Sequence, residues 1–406
     1  MPSPSSLDLF YGTNTLAGQQ ARAVCFTTSL LSENERLPVV TYLDERRSLG
    51  ISGRRLSKIA FTLVSFRRYL DVEYLDCVLL DYRKAIANLY ELGSFNTKKP
   101  FSQQTIADFV RITKQFFSWM VENEIGLLTE ADLKKIRVPP KGENYLTHAD
   151  ILTPEEVLSF INACKTPRDR ALFSMLYEGG FRIGEIGTLT WGDLKFDNYG
   201  ILVSVIFKTG KPRTIRLLAC VRDVSIWRSV TQSGTGPSDL VFTQLKISEH
   251  THITYGLVKK AMERIAKEAK ITKKIYPHLF RHSRITHMLS DGIHESVIKL
   301  VMWGDIGSEQ LKTYAHLSTA NIDAALFDCY GIKTQQAEKP VTYAPVTCSH
   351  CRQINPPGSG YCSACGQALS DSEISSSDAL QEYLNQHPEL IIEFLSNRVK
   401  SQNQIL

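Results

Sequence analysis

The chain is 406 residues long, 43% hydrophobic and 22% charged, with a formal net charge of +5. That length exceeds one ordinary hydrophobic core and predicts two or three domains. No apolar run approaches the roughly 20 residues of a membrane span, and Met1–Leu16 lacks the basic-then-apolar order of a secretory signal. A cytoplasmic, reducing setting without a membrane partner is therefore expected. So modest a positive charge points to nucleic acid only where it is clustered.

Residues 1–30 carry Ser, Thr and Gly with no clear period and read as a flexible arm. Residues 31–140 read as a small all-helical domain with basic faces. From Arg46 to Leu70 there are seven Lys or Arg and no Asp or Glu: Arg46, Arg47, Arg54, Arg55, Lys58, Arg67 and Arg68. Leu56, Ile59, Leu63 and Phe66 recur among them at helical spacing, which predicts an amphipathic helix. A one-signed polar face suits a phosphate backbone, but a solvated surface with acidic partners elsewhere in the fold fits equally well. A further helix follows from Ile106, Phe109, Val110, Thr113, Phe116, Phe117, Met120 and Val121, with Arg111 and Lys114 on the opposite face. Its aromatics read as core. Pro139-Pro140 then bars a helix, and residues 141–150 are assigned as a linker.

Residues 151–331 form the second predicted domain. Thr153-Pro154-Glu155-Glu156 supplies an N-cap, a Pro at the first helical position and a capping-box Glu. After a second helix over Asp169–Tyr177 comes Glu178-Gly179-Gly180-Phe181-Arg182-Ile183-Gly184-Glu185. The glycines let backbone approach closely, and Arg182 stands at a helix start, where N–H groups already attract anions. Pairing of Arg182 with Glu185 would explain it as well. The β-branched runs Gly200–Phe207 and Thr214–Leu218 flank Lys208-Thr209-Gly210-Lys211-Pro212-Arg213, which predicts a β-hairpin with Lys208 at its basic tip. A basic amphipathic helix over Leu257–Ala269 leads into Pro277-His278-Leu279-Phe280-Arg281-His282-Ser283-Arg284. His278 and Arg281, three apart, share one helical face and can grip one anion. Lys312-Thr313-Tyr314-Ala315-His316-Leu317-Ser318 follows, then a short closing helix over 320–331.

Of nine cysteines, Cys25, Cys77, Cys164, Cys220 and Cys329 are scattered and read as ordinary buried thiols. Beyond a linker at 332–345, the remaining four stand as Cys348-x2-Cys351, ten residues, then Cys362-x2-Cys365. Two close thiolate pairs make a tetrahedral site, with Gly366 suited to the knuckle turn. Residues 346–370 are thus expected to form a zinc ribbon holding one structural Zn²⁺, since all four positions are filled by Cys. In the tail, 371–406, the residues Leu380, Leu384, Leu390, Ile391, Phe394 and Leu395 predict one or two short helices, broken near Pro388 and available to a partner protein.

Taken in order, Gly180-Phe181-Arg182-Ile183-Gly184-Glu185, Lys208-Thr209-Gly210, His278-Leu279-Phe280-Arg281-His282 and Tyr314-Ala315-His316-Leu317-Ser318 resemble the tyrosine recombinase (phage integrase-type) family over about residues 30–331. With the four-cysteine module, the chain looks most like archaeal members that end in a zinc ribbon. The resemblance implies a mainly α fold with a small β-hairpin or sheet: a helical, SAM-like core-binding domain, an α+β catalytic domain and the ribbon. It implies a site-specific recombinase or integrase that acts on double-stranded DNA as a dimer or tetramer, for integration or excision of a mobile element. The chemistry agrees with that expectation. Arg182 and Arg281 can hold the non-bridging phosphate oxygens in fork geometry, and Tyr314, ordinarily of pKa ~10, needs their positive field or a base to ionise. His278 is the expected base or donor, and the resemblance makes Lys208 the acid for the leaving 5′-oxygen. A 3′-phosphotyrosine keeps the bond energy, so religation needs neither nucleotide nor catalytic metal. One position departs from the pattern. The family carries His or Trp immediately after the glycine about ten residues before the tyrosine, and here that residue is Asp305. An ionised Asp accepts but does not donate, and it would repel the phosphate. Three accounts compete: Asp305 points away with Trp303 or His282 filling the role, it is protonated at the site, or cleavage is weakened, which leaves a DNA-binding protein of the same fold as an alternative. A nicking-closing enzyme like the type IB topoisomerases would use the same residues without partner exchange.

Overall fold

The computed structural model describes residues 10–11, 24–26, 28–140, 147–206, 212–232, 234–245, 251–317, 330 and 343–369. The chain divides into two compact units, Met1–Tyr145 and Leu146–Leu406. Mostly helical, with small antiparallel sheets, it has the expected fold class.

In the first unit the helices are α1 (Glu33–Ser48), α2 (Gly53–Phe66), α3 (Leu79–Leu92), α4 (Gln103–Glu122) and α5 (Glu130–Lys134). Three of the starts have a clear local cause. Ser32 and Glu35 make a reciprocal capping box for α1, Ser102 accepts from the Thr105 N–H at α4, and Thr129 accepts from the Asp132 N–H at α5. The period read from the sequence holds: α2 buries Leu56, Ile59, Leu63 and Phe66, and α4 buries Ile106, Val110, Phe116, Phe117 and Met120. Around them Tyr42, Tyr74 and Phe117 make edge-on or tilted ring contacts. The buried phenols are satisfied, Tyr74 donating to the Leu63 carbonyl at 2.6 Å and Tyr82 meeting Thr113 at 2.8 Å. One expectation changes. Phe10 and Cys25 are completely buried, and Cys25 belongs to this core, so the stretch read as an arm contributes to it. The apolar clusters Leu9-Phe10-Tyr11 and Val24-Cys25-Phe26 are too short to show a period that would reveal the burial of Phe10 and Cys25.

The second unit begins with α6 (Pro154–Asn162), whose Thr153/Glu156 capping box and N1 proline are as expected. It continues through α7 (Pro167–Glu178), the one-turn α8 (Ile183–Ile186), and the strands β1 (Leu194–Asp197), β2 (Gly200–Ile206) and β3 (Pro212–Leu217). The sheet is antiparallel in the order β1-β2-β3, with Val203 opposite both Leu194 and Ile215. The sequence reading missed β1, although Asp197 Oδ1 accepting from the Tyr199 N–H and the Gly200 φ of 127° mark its turn. Four more helices follow: α9 (Val221–Val230), α10 (Tyr255–Glu268), α11 (Pro277–Ser290) and α12 (Glu295–Trp303). Phe160, Phe173 and Phe280 join α6, α7 and α11 through centroid contacts of 5.1 to 6.1 Å. The 3₁₀ turns of Glu309–Leu317 carry the tyrosine segment. The short strands β4 (Val346–Thr347) and β5 (Ile354–Asn355) pair beside the four cysteines. Lys208, the closing helix and the tail helices lie outside the described residues.

Candidate active site

Arg182 is the N-cap residue of α8, reached through the Gly179-Gly180 turn at the end of α7. Gly180 has φ +55°, a left-handed conformation that favours glycine, and a Cβ there would meet the mobile end of the Met302 side chain at 2.6 Å. Its carbonyl accepts from Arg281 Nη1 at 2.5 Å, while Arg281 Nη2 donates to the Met302 carbonyl at 2.6 Å. The Trp303 ring lies 5.4 Å beneath the Arg281 guanidinium. The end of α12 therefore holds Arg281 in one orientation.

Glu185 organises the other side. It accepts from the Arg182 backbone N–H at 2.8 Å and from Arg182 Nη1 at 3.1 Å, and it also takes Arg213 Nη2 at 2.5 Å. Arg213 is buried and donates further to the Val301 and Met302 carbonyls. The sequence reading placed Arg213 in a basic turn. Strand alternation could have found it, because Arg213, Ile215 and Leu217 occupy the buried positions of β3. Three guanidiniums, those of Arg182, Arg213 and Arg281, thus gather around one carboxylate, and the excess positive charge favours an anion. Burial, then Arg182 and Arg213, push the Arg281 pKa down to about 9, which still leaves it charged at neutral pH.

Tyr314 is 4% exposed and packs with Ile151, Ile285, Met288, Ile298 and Leu311. Its hydroxyl meets His282 Nδ1 at 2.5 Å. Burial raises the phenol to about 12, and Arg281 and Arg182 oppose the rise. Burial, with His278 and Arg281 adding to it, lowers His282 to about 4, so its ring is neutral at pH 7. His278 is one helical turn away, 6.0 Å between ring centroids, on the exposed side of α11. Partial burial of its ring, then Arg281 and Arg182, lower its pKa as well. The sequence favoured His278 as the base, whereas in the structure His282 is the histidine hydrogen-bonded to the tyrosine. Asp305 follows Gly304, the left-handed cap of α12, and its Oδ1 accepts from the Gly307 N–H at 3.0 Å. Its carboxylate caps its own loop, and Trp303 is the nearby ring set against Arg281.

The basic set of the helical unit separates into two groups. Arg67 donates to Glu35, a fully buried carboxylate, at 2.7 Å and to the Leu70 carbonyl at 3.0 Å, so it serves the interior rather than a surface ligand. Lys58 and Arg111 both reach Asp108 at 2.6 Å, and Lys114 reaches the Ile136 carbonyl at 2.7 Å. Acidic partners thus come from elsewhere in the fold for part of the set. Arg46 and Arg55 line a cleft of about 310 Å³ with Gln115 and Ser118, Arg46 lying over Tyr42. Arg54 and Arg68 stack on Tyr11 and Phe95, and Arg47 is exposed.

The sulfurs of Cys348, Cys351, Cys362 and Cys365 all lie within 4.8 Å of one another, and the described residues hold no other such cluster. Cys348–Cys365 and Cys351–Cys362 are 3.6 and 3.5 Å apart. A metal about 2.3 Å from each of four tetrahedral sulfurs requires edges near ~3.8 Å, so the donor set fits one ion. The residue after each pair, Arg352 at φ 60° and Gly366 at φ 76°, takes the left-handed turn of a knuckle. Asn355 braces the second knuckle by accepting from the Ser363 N–H at 2.8 Å.

Residues 150–321 match the model of the phage integrase family. The tyrosine recombinase XerC of Xylella fastidiosa is 28% identical over 241 residues, 57% of this chain and 76% of that protein. The tyrosine recombinase of Pseudothermotoga lettingae is 25% identical over 260 residues, 64% and 83% of the two chains. Among solved structures, the post-cleavage complex of the XerH site-specific recombinase with a palindromic difH substrate aligns with a TM-score of 0.56 at 17% identity, over 81% of this chain and 98% of that one. A lambda integrase dimer bound to a COC′ core site aligns at 0.53 and 15%, over 74% and 98%. Identities this low establish a shared fold. Together with the family match, they show a phage-integrase-type domain over residues 150–321, along which the arginine, histidine and tyrosine positions lie in the expected order.

Proposed function

We propose that the chain cleaves and rejoins duplex DNA through a 3′-phosphotyrosine on Tyr314, in the service of integration or excision of a mobile element. The observation that carries this reading is the meeting of the Arg182–Glu185–Arg213 and Arg281 guanidinium cluster with the Tyr314–His282 pair. Arg182 and Arg281 bind the non-bridging oxygens as charge develops on phosphorus, a contribution of about 3 kcal/mol per donor. Tyr314 attacks phosphorus, and the bond to the 5′-oxygen breaks. Phenol acidity rises as its oxygen bonds to phosphorus, so the proton passes to His282 Nδ1 during attack and returns on religation. His278 donates to the phosphate from the same helix. Lys208, by resemblance, protonates the leaving 5′-oxygen. Arg47, Arg54, Arg55 and Arg68 contribute to holding the duplex, and chains assemble on DNA as dimers and tetramers, in keeping with the DNA-bound neighbours. The four cysteines hold one Zn²⁺ in a structural site, since four thiolates leave no open coordination position.

The test is covalent trapping on a nicked suicide substrate taken from the DNA flanking the gene. A protein–DNA adduct that disappears in Tyr314→Phe is expected, and no adduct with the unaltered chain on any flanking DNA would overturn the reading. Asp305 favours one second reading, a DNA-binding protein with weakened cleavage. It predicts retention on the same DNA without adduct.

A further inference from the structure

By sequence the cysteine module follows a linker, yet Tyr343 near the end of that linker is buried. Tyr343, five residues before Cys348, is 8% exposed. Its ring meets the Tyr177 ring edge-on, 4.7 Å between centroids and 77° between planes. Tyr177 lies in the last turn of α7, is fully buried, and its hydroxyl meets His287 Nδ1 on α11 at 2.6 Å. Tyr343 therefore closes over the junction of α7, which leads into the Arg182 turn, and α11, which carries Arg281. Three residues beyond Tyr177, Gly180 offers the carbonyl that accepts from Arg281, and Glu178 between them accepts from the N–H groups of Leu218, Ala219 and Cys220. Between the two cysteine pairs, a Cβ on Gly358 would lie 3.9 Å from Leu158 on α6. The chain leading into the module is thus packed on the catalytic unit through Tyr343, and Gly358 of the module lies near α6.

We propose that the cysteine module is a docked layer of the catalytic unit, seated in cis through Tyr343 on the α7–α11 junction, so that metal loading stabilises the frame that positions Arg281. This goes beyond strand transfer itself and rests on the metal reading only for its loading arm. Folding of the module orders the knuckles that follow Tyr343, and a tyrosine tethered to an ordered module loses less freedom on docking than one on a loose chain. By linkage, whatever stabilises the docked module stabilises the surface that receives it. An independently tethered module would leave that surface indifferent to metal.

The experiment is hydrogen exchange on the full chain, with metal content measured first, then with and without a chelator, and again on Tyr343→Ala. Chelation is expected to speed exchange roughly tenfold in the last turn of α7 and at 218–220, while 103–122 in the other unit stays unchanged. Tyr343→Ala is expected to bind metal at unchanged stoichiometry and to show the faster α7 exchange already, with no further response to the chelator. Unaltered α7 exchange in both arms would overturn the proposal. A chain that binds no metal refutes the loading arm alone, and the variant then decides the docking. Should the variant fail to fold, the chelation arm on the unaltered chain decides the question by itself.

Discussion

Replacing Glu185 with Gln tests the charge logic of the active site most directly. The Glu185 side chain is 7% exposed and binds Arg213, 2% exposed, and Arg182, 24% exposed. Glu185→Gln preserves shape but removes the carboxylate bonded to Arg213, leaving a buried guanidinium held by two carbonyls among the described residues. Breaking a buried pair in this way costs about 3–5 kcal/mol, whereas replacing both partners with apolar groups is often near neutral. The amide still offers one acceptor to the arginines, so the lower figure, about 3 kcal/mol, is expected here. That is a large fraction of a typical domain's stability. The assay is urea unfolding followed by tryptophan fluorescence in a Trp119→Phe background, where Trp191, Trp227 and Trp303 report on the catalytic unit. Glu185→Gln/Arg213→Met should recover most of the loss, giving a coupling of a few kcal/mol. A loss under about 1 kcal/mol, or simple additivity, would refute the argument that Glu185 is the counter-charge of the cluster.

Asp305→His and Asp305→Trp should each raise the rate of adduct formation on a suicide substrate, because a donor replaces an anion near the phosphate; no change, or a fall, would count against repulsion at this position. Arg67→Ala should destabilise the helical unit by about 3 kcal/mol in urea, since Glu35 would be left buried without its cation. By contrast, the joint change of Arg47, Arg54, Arg55 and Arg68 to Gln should weaken DNA binding across sequences and flatten its salt dependence. An unchanged slope would return those residues to solvated surface. His282 and His287 each have pKa values drawn from 6.5 to about 4 by burial. Between those values the unfolded chain binds protons that the folded chain does not, so stability is present above pH 6.5 and is lost as pH falls toward 4. The Tm should decline over that window, less steeply in His282→Asn; a flat profile in the unaltered chain would contradict it.

Local features were legible without coordinates because their causes are local. The Thr153–Glu156 capping box spans four residues, and the apolar stripes of α2 and α4 repeat at each turn, so propensity and period sufficed. The paired cysteines were equally plain from spacing alone. The motif order through Arg182, His278, Arg281 and Tyr314 was enough to indicate the family, and residues 150–321 match it.

What only the tertiary structure decided are pairings between distant residues. Arg67 and Glu35 are 32 positions apart, Arg213 and the Val301 carbonyl 88, and Tyr177 and His287 110. No periodicity distinguishes an arginine facing DNA from one neutralising a buried carboxylate, because the distinction depends on which chain segment folds over it. The same holds for the two histidines of α11. His278 and His282 look interchangeable in sequence, one turn apart, and it is the packing of the Glu309–Leu317 turns that brings the Tyr314 hydroxyl to His282.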